Sequence, residues 1–172
     1  AKQVFIANLM PSRGSWLELE IDKKGIAYAR IDRKRKLPIT TLLRALPLED
    51  PTTGFQLDTS TNEKILALFD GSVYIQNTLD KDTTTREEEA LIEVFKKQRP
   101  GEPPTLDNAR NLLKALFFDP KRYDLTKVGR YKLNQRLGVG VPEDTRVLTT
   151  EDILALVRRL IALPTNLGVP ED

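Results

Sequence analysis

The residues able to do chemistry in this chain are cations and one indole rather than the usual catalytic set. Among its 172 residues there is no histidine and no cysteine. That removes the common general base near neutral pH, the common zinc ligands, thiolate nucleophiles and any Ser-His-Asp arrangement. Carboxylates do cluster, at Asp80, Asp82, Glu87, Glu88, Glu89 and Glu93. They fall on an exposed helical turn, where they complement a helix N-terminus and lack the burial that shifts a carboxyl pKa. Thr85 with Glu88 reads as a capping box. No Gly-Lys-Ser/Thr loop occurs, and Gly138-Val-Gly140 lacks the third glycine and the preceding strand of a dinucleotide fingerprint. The chemistry therefore predicts no catalytic residue, no metal site and no cofactor, which leaves a binding or structural module.

The basic residues are uneven. Arg30-Ile-Asp-Arg-Lys-Arg-Lys36 holds five basic residues and one acid. From Asp119 to Gly138 there are six basic and two acidic residues, a local charge of +4. Such strips are either solvated faces or surfaces that track phosphate through counterion release. The single tryptophan, Trp16, opens the alternating run Trp16-Leu-Glu-Leu-Glu-Ile21. As a strand, this run puts Trp16, Glu18 and Glu20 on one face and Leu17, Leu19 and Ile21 on the other. Trp16 then either covers the edge of the core or offers a platform for a flat partner such as a base.

The elements that must position these groups follow from periodicity. Residues 4–10 read as a strand, 16–21 as a second and 26–31 as a third, joined by turns at Pro11–Gly14 and Asp22–Gly25. Pro38 stands in the first turn of a helix carrying Leu42, Leu43, Ala45 and Leu46. Residues 47–62 read as a loop open to variation, a short helix covers 62–69, and 72–79 is either extended or helical. Pro100, Gly101, Pro103 and Pro104 make a stiff turn before a helix capped by Thr105, with Leu106, Ala109, Leu112, Leu113, Leu116 and Phe117 on its inner face. Pro120 bars its continuation. A basic helix over 124–137 follows, with Lys127, Arg130, Lys132 and Arg136 around Leu125, Val128, Leu133 and Leu137, closed by Gly138. Thr149 or Thr150 caps a last helix with Ile153, Leu154, Val157, Leu160 and Ile161 inward, and Pro164 ends it. The fold class is α+β: a small antiparallel β-meander at the N-terminus packed with several α-helices.

Length suits one domain over residues 1–172. With 40% hydrophobic and 30% charged residues, the chain can bury a core rather than remain disordered. No apolar run reaches the roughly 18 residues of a membrane span, and no secretory signal is visible, so a cytoplasmic protein without a membrane partner is expected. The chain begins at Ala1 and ends in Leu167-Gly-Val-Pro-Glu-Asp172, so a fragment of a longer chain is expected.

Several stretches resemble the lobe domain of the bacterial RNA polymerase β subunit. They are Pro11-Ser-Arg-Gly-Ser-Trp-Leu-Glu-Leu-Glu20, Arg30-Ile-Asp-Arg-Lys-Arg-Lys-Leu-Pro38, Arg99-Pro-Gly-Glu-Pro-Pro-Thr105, and Leu116-Phe-Phe-Asp-Pro-Lys-Arg-Tyr-Asp-Leu125 running into Val128-Gly-Arg-Tyr-Lys-Leu-Asn134. Leu148-Thr-Thr-Glu-Asp-Ile153 is similar to the start of the family's last lobe helix. Met10 stands where isoleucine is common, Lys34 where arginine is frequent, and the loop 47–62 has no close match.

The resemblance implies a non-catalytic jaw of the polymerase cleft. Its expected partners are downstream duplex DNA, the non-template strand, the sigma factor and the other polymerase subunits. The nucleotidyltransferase chemistry would belong to the parent complex. It further implies that Trp16 stacks on an unpaired base, that Arg99 and Arg122 face the same strand, and that Arg13, Arg33, Lys34 and Arg35 add DNA contacts. The helix over 105–117 would act as a spacer holding Arg99 and Arg122 in fixed relation. The competing expectation is a free-standing protein-interaction module that uses the acidic helix and the basic strip.

Overall fold

The computed structural model describes residues 5–50 and 52–164. The expected strand start at residue 4, residue 51 of the loop and the expected terminal loop 167–172 lie outside the described residues. Four strands form one antiparallel sheet in the order β1 (Phe5–Leu9), β2 (Leu17–Ile21), β3 (Ala27–Ile31) and β4 (Leu37–Pro38). Among the described residues the helices are α1 (Ile39–Ala45), α2 (Asn62–Ala67), α3 (Val73–Lys81), α4 (Glu87–Gln98), α5 (Leu106–Phe117), α6 (Thr126–Leu137) and α7 (Thr150–Ala162). The α+β expectation holds, with one more strand than the meander predicted.

Alternation in β2 and β3 decides the sheet. Leu17, Leu19, Ile21, Ala27, Ala29 and Ile31 are at most 1% exposed, while Glu18, Glu20, Tyr28 and Arg30 are partly exposed on the other face. A one-residue slip would bury those charges, so the register Leu17↔Ile31 and Glu18↔Arg30 is strongly specified. The β2–β3 turn is closed by Asp22, whose Oδ1 accepts from the Lys24 and Ile26 amides, both at 3.0 Å. Helix α7 packs beneath β1 and β2, α3 against β3, α1 against α4, and α4 against α5. Thr105 caps α5 by accepting from the Asn108 amide at 3.2 Å, as expected.

Several local expectations are corrected. Pro38 pairs with Tyr28 in β4 and immediately precedes α1 rather than lying inside its first turn. The ambiguous stretch 72–79 is helical, capped by the Ser72 hydroxyl. Thr85 is bonded to Glu89 rather than Glu88: the Glu89 carboxylate accepts from the Thr85 amide at 3.0 Å and from its hydroxyl at 2.9 Å. Arg86 begins α4 without a side-chain cap, which moves the partner one residue along.

The largest correction concerns Arg130. Its place among basic residues suggested a solvated charge, but Arg130 and Asp152 are both 0% exposed. The guanidinium meets the carboxylate in a bidentate pair, with Nη1 at 2.7 Å and Nη2 at 2.9 Å. Nε donates to Thr145 O at 2.7 Å and Nη2 to Val147 O at 2.6 Å. Val128, expected inward, is 63% exposed instead, so the buried line of α6 runs through Arg130 and Leu133. Asp152 also completes the capping box of α7, accepting from the Thr149 amide at 2.9 Å.

Removing one partner of such a pair leaves an uncompensated buried charge. Asp152→Ala should cost about 3–5 kcal/mol in urea unfolding. The double change Arg130→Met with Asp152→Ala should cost less than Asp152→Ala alone, and equal or greater loss in the double variant would contradict this account.

Candidate nucleic-acid interface

The turn between β1 and β2 rests on the segment that follows α5. The Ser12 and Arg13 amides donate to Asp124 O at 3.0 and 3.2 Å, and the Asp124 amide returns a bond to Arg13 O at 2.8 Å. Arg13 Nη2 donates to Pro120 O at 3.3 Å. This approach needs a glycine at 14, where φ is +123°. A Cβ there would lie 2.8 Å from Tyr123 Cδ2 and 3.0 Å from Arg122 O. Tyr123 itself is buried and packs edge-on to Phe117, with ring centroids 6.3 Å apart.

Asp124 fixes the other end of this segment. Its carboxylate accepts from Arg146 Nε at 2.8 Å and from the Thr126 amide at 2.7 Å. These bonds, the one from Arg146 foremost, hold its pKa down at about 2 from an ordinary 3.8. Thr126 adopts φ +64°, uncommon for a β-branched residue, and its hydroxyl accepts from the Gly129 amide at 3.2 Å. It thereby serves the open N-terminus of α6.

Trp16 enters β2 on the solvent side and is 37% exposed, outside the hydrophobic core. Its amide donates to Asp32 Oδ1 at 2.8 Å, and its carbonyl accepts from the Asp32 amide at 2.9 Å. Asp32 and Arg33 have φ of +52° and +58°, and the Lys34 amide donates back to Ile31 O at 3.1 Å. Both central residues of this turn are left-handed without a glycine, a costly conformation for arginine. Its result is that the Arg33 guanidinium lies 5.4 Å from the Trp16 ring centroid and 3.5 Å from Glu18. Cation and indole are within cation–π distance.

The basic run then meets the end of α4. Lys34 Nζ donates to Gln98 O at 3.0 Å, one residue before Arg99. Arg99 is exposed and pairs with Glu102 at 3.8 Å; Arg122 is exposed and pairs with Asp119 at 3.9 Å. Both arginines line one groove of about 410 Å³, whose floor includes Asn108, Asn111, Leu112 and Ala115 of α5. Helix α5 thus runs along the groove that both arginines line. Contacts link Trp16 to Arg33 and Lys34 to the α4 end beside Arg99, Arg99 and Arg122 line the same groove, and the backbone at Arg122 abuts the turn holding Arg13. Arg35 is exposed beside this circuit with no hydrogen bond or ion pair among the described residues.

The sequence reading did not single out Asn108, Asn111 or Lys114, which also line the groove. Asn108, Asn111 and Ala115 recur at helical spacing on α5 opposite its apolar stripe, a signal that was available. Lys36 was likewise passed over and lies 4.4 Å from the Tyr28 ring. No group of three or more carboxylate, histidine or cysteine side chains that could hold a metal ion occurs among the described residues. Nor is any described helix long and apolar enough to cross a membrane.

Sheet, helices and a cationic rim beside one exposed indole make up an α+β module. The chain belongs to the family described as RNA polymerase Rpb2, domain 2, which matches residues 2–172. It is 53% identical over 99% of its length to the DNA-directed RNA polymerase subunit beta of Rubrobacter xylanophilus. It is 46% identical over 99% of its length to that of Gloeobacter violaceus, and 48% identical over 94% to that of Streptomyces coelicolor. The chain spans 13–14% of the length of these curated relatives.

Two outcomes follow from the turn and its seat. Gly14→Ala should destabilise the fold by about 1–3 kcal/mol in urea unfolding, since the new methyl displaces backbone at 122–123. For Asp124 the sign is that of a depressed carboxyl: its contribution is complete above about pH 4 and is lost as pH falls towards 2. Unfolding midpoints measured between pH 5 and pH 2.5, on the order of ten conditions, should fall less steeply for Asp124→Asn than for the parent chain. Parallel curves would exclude the Arg146–Asp124 clamp as the source.

Proposed function

We propose that this domain is the non-catalytic lobe module of a DNA-directed RNA polymerase β subunit. In this reading it lines the downstream DNA channel, contacts the non-template strand and adjoins the sigma factor and the other subunits in the cytoplasm. The domain supplies no catalytic group, cofactor or metal of its own. The nucleotidyltransferase activity belongs to the whole complex.

The observation that carries the reading is one rim bearing an exposed tryptophan, Arg33 beside it and two arginines across a shared groove. An unpaired base stacks on Trp16, because every base offers a π-face to an indole. The Arg33 cation sits where the adjoining phosphate passes, so ring and charge act on neighbouring parts of one nucleotide. Arg99 and Arg122 are held at their stems by turns and have only weak, solvent-exposed carboxylate partners. Exchanging those partners for phosphate costs little and releases counterions. Arg13, Lys34 and Arg35 add positive potential along the same rim, while Arg13 and Lys34 also hold backbone carbonyls and so position the rim itself.

The test is made in the assembled polymerase. Trp16→Ala should shorten the open-complex lifetime by about tenfold, the loss of one base stack worth roughly 1–3 kcal/mol, and Trp16→Phe should recover part of it. Arg99→Ala and Arg122→Ala should each reduce the slope of log K against log salt by about one. An unchanged lifetime in Trp16→Ala with an unchanged salt slope in both arginine variants would refute the strand-contact role.

A further inference from the structure

Helix α6 presents apolar side chains to solvent. Val128 is 63% exposed and Tyr131 52%, and Gln135 is exposed one turn further on. The spacing i, i+3, i+7 puts these three in one line along the helix. Lys127 and Lys132, both exposed, border that line on its two sides. The other exposed large apolar side chains among the described residues stand on or beside strands, in a loop or at a helix start, as Ile6, Met10, Trp16, Phe55 and Val73 do. Among the described helices, α6 alone sets two of them on one face.

The helix cannot turn to hide this line. Its opposite side buries Leu133 and Arg130, and rotating Val128 inward would pull Arg130 away from Asp152. The side chains of Lys127, Tyr131, Lys132 and Gln135 make no hydrogen bond or ion pair among the described residues. None of the five residues of the face lines the groove of Arg99 and Arg122. The twelve residues of α6 include no acid, and its first turn carries Lys127 where α4, α5 and α7 carry glutamate or aspartate. The acid that precedes the helix, Asp124, is held by Arg146. The face is therefore an apolar line between two cations that have no acid within the domain.

We propose that this face docks an acidic amphipathic helix of a partner protein. Apolar side chains of that helix, spaced i, i+3, i+7, pack on Val128 and Tyr131, and glutamates beside them pair with Lys127 and Lys132. An apolar seam flanked by charge is how one helix selects another: the seam supplies contact and the flanks set the partner's sign. Charge decides among the occupants. A second copy of this face would set lysine against lysine. A nucleic acid would match the lysines but leave Val128, an aliphatic side chain in the middle of the face, with nothing apolar to bury it. The surface lies apart from Trp16 and from the arginine groove, so the inference does not depend on strand contact.

The experiment uses the assembled polymerase and a fluorescein-labelled helical peptide with leucine at i, i+3 and i+7 and glutamate on both flanks, read by anisotropy. The same peptide with lysine for every glutamate is the control. The glutamate peptide should bind, more weakly as salt rises, and the lysine peptide should not. Val128→Ser should weaken binding about tenfold through the lost apolar contact. Lys127→Glu combined with Lys132→Glu should abolish binding of the glutamate peptide and admit the lysine peptide, a reversal that a merely structural role would not produce. All three positions are exposed, so these variants keep the fold. No binding of the glutamate peptide, equal binding of the two peptides, or unchanged affinity in Val128→Ser overturns the proposal. So does a loss of poly-thymidine binding in the double lysine variant with glutamate-peptide binding unchanged, which assigns the face to nucleic acid.

Discussion

Arg130 and Asp152 hold together the half of the domain that carries Arg122. Withdrawing both ions from water costs several kcal/mol each, and only near-complete hydrogen bonding offsets it. Here the guanidinium meets the carboxylate twice and adds bonds to Thr145 O, Val147 O and Asn134 Oδ1. The loop between α6 and α7 is thereby bound to both helices. That loop in turn supports what lies beyond it: the Leu148 amide donates to Phe117 O at 3.1 Å, and the Leu125 amide to Arg146 O at 2.8 Å. Arg146 then clamps Asp124, which receives the turn of Arg13. A buried pair inside the domain thus fixes the backbone under an exposed arginine on its surface.

A second buried arginine plays the matching part on the other half. Arg44 is 1% exposed and lies 3.8 Å from Asp82, donates to Asn62 Oδ1 at 2.6 Å and to Thr84 O. Asp82, expected on an exposed turn, has its side chain 1% exposed instead, and it also accepts from the Thr40 hydroxyl at 2.6 Å and the Thr84 amide at 2.9 Å. This network joins α1, the start of α2 and the link from α3 to α4. It sets where α4 runs, and the far end of α4 carries Gln98 and Arg99. Each side of the candidate rim is therefore backed by one buried guanidinium, and the groove between them is spanned by α5.

Backbone strain gathers where the rim is built. Arg33 and Asp32 are left-handed under Trp16, Thr126 is left-handed beyond Asp124, and Gly14 sits at +123° against Tyr123. Each non-glycine residue in such a region costs of order 1–3 kcal/mol and persists only where its surroundings enforce it. The bonds of Asp32 to both backbone groups of Trp16 and the bond from the Thr126 amide to Asp124 are those surroundings. The core of α7 beneath β1 and β2 supplies the stability that this arrangement draws on.

Much of this was legible in the residues. Period-two alternation placed β2 and β3 and put Trp16 outside, because a strand with one apolar face has only one tolerable register. Period 3.6, the Thr105 cap and a cap at Thr149 or Thr150 located α5 and α7, since local hydrogen bonds near a helix start depend on near neighbours alone; the structure settles the second cap on Thr149. Family motifs named Arg99 and Arg122. What the linear chain could not show was the fate of each charge, because a basic residue in an amphipathic run looks the same whether its partner is water or a carboxylate 22 residues away. Arg130 lies between solvated lysines and is wholly buried, while Val128, two residues earlier, is exposed. The tertiary structure alone decided that, since only packing α6 against α7 brings Asp152 within reach. It also decided that Arg99 and Arg122 share a groove and that Arg33 lies beside Trp16, for both depend on loops meeting across the fold.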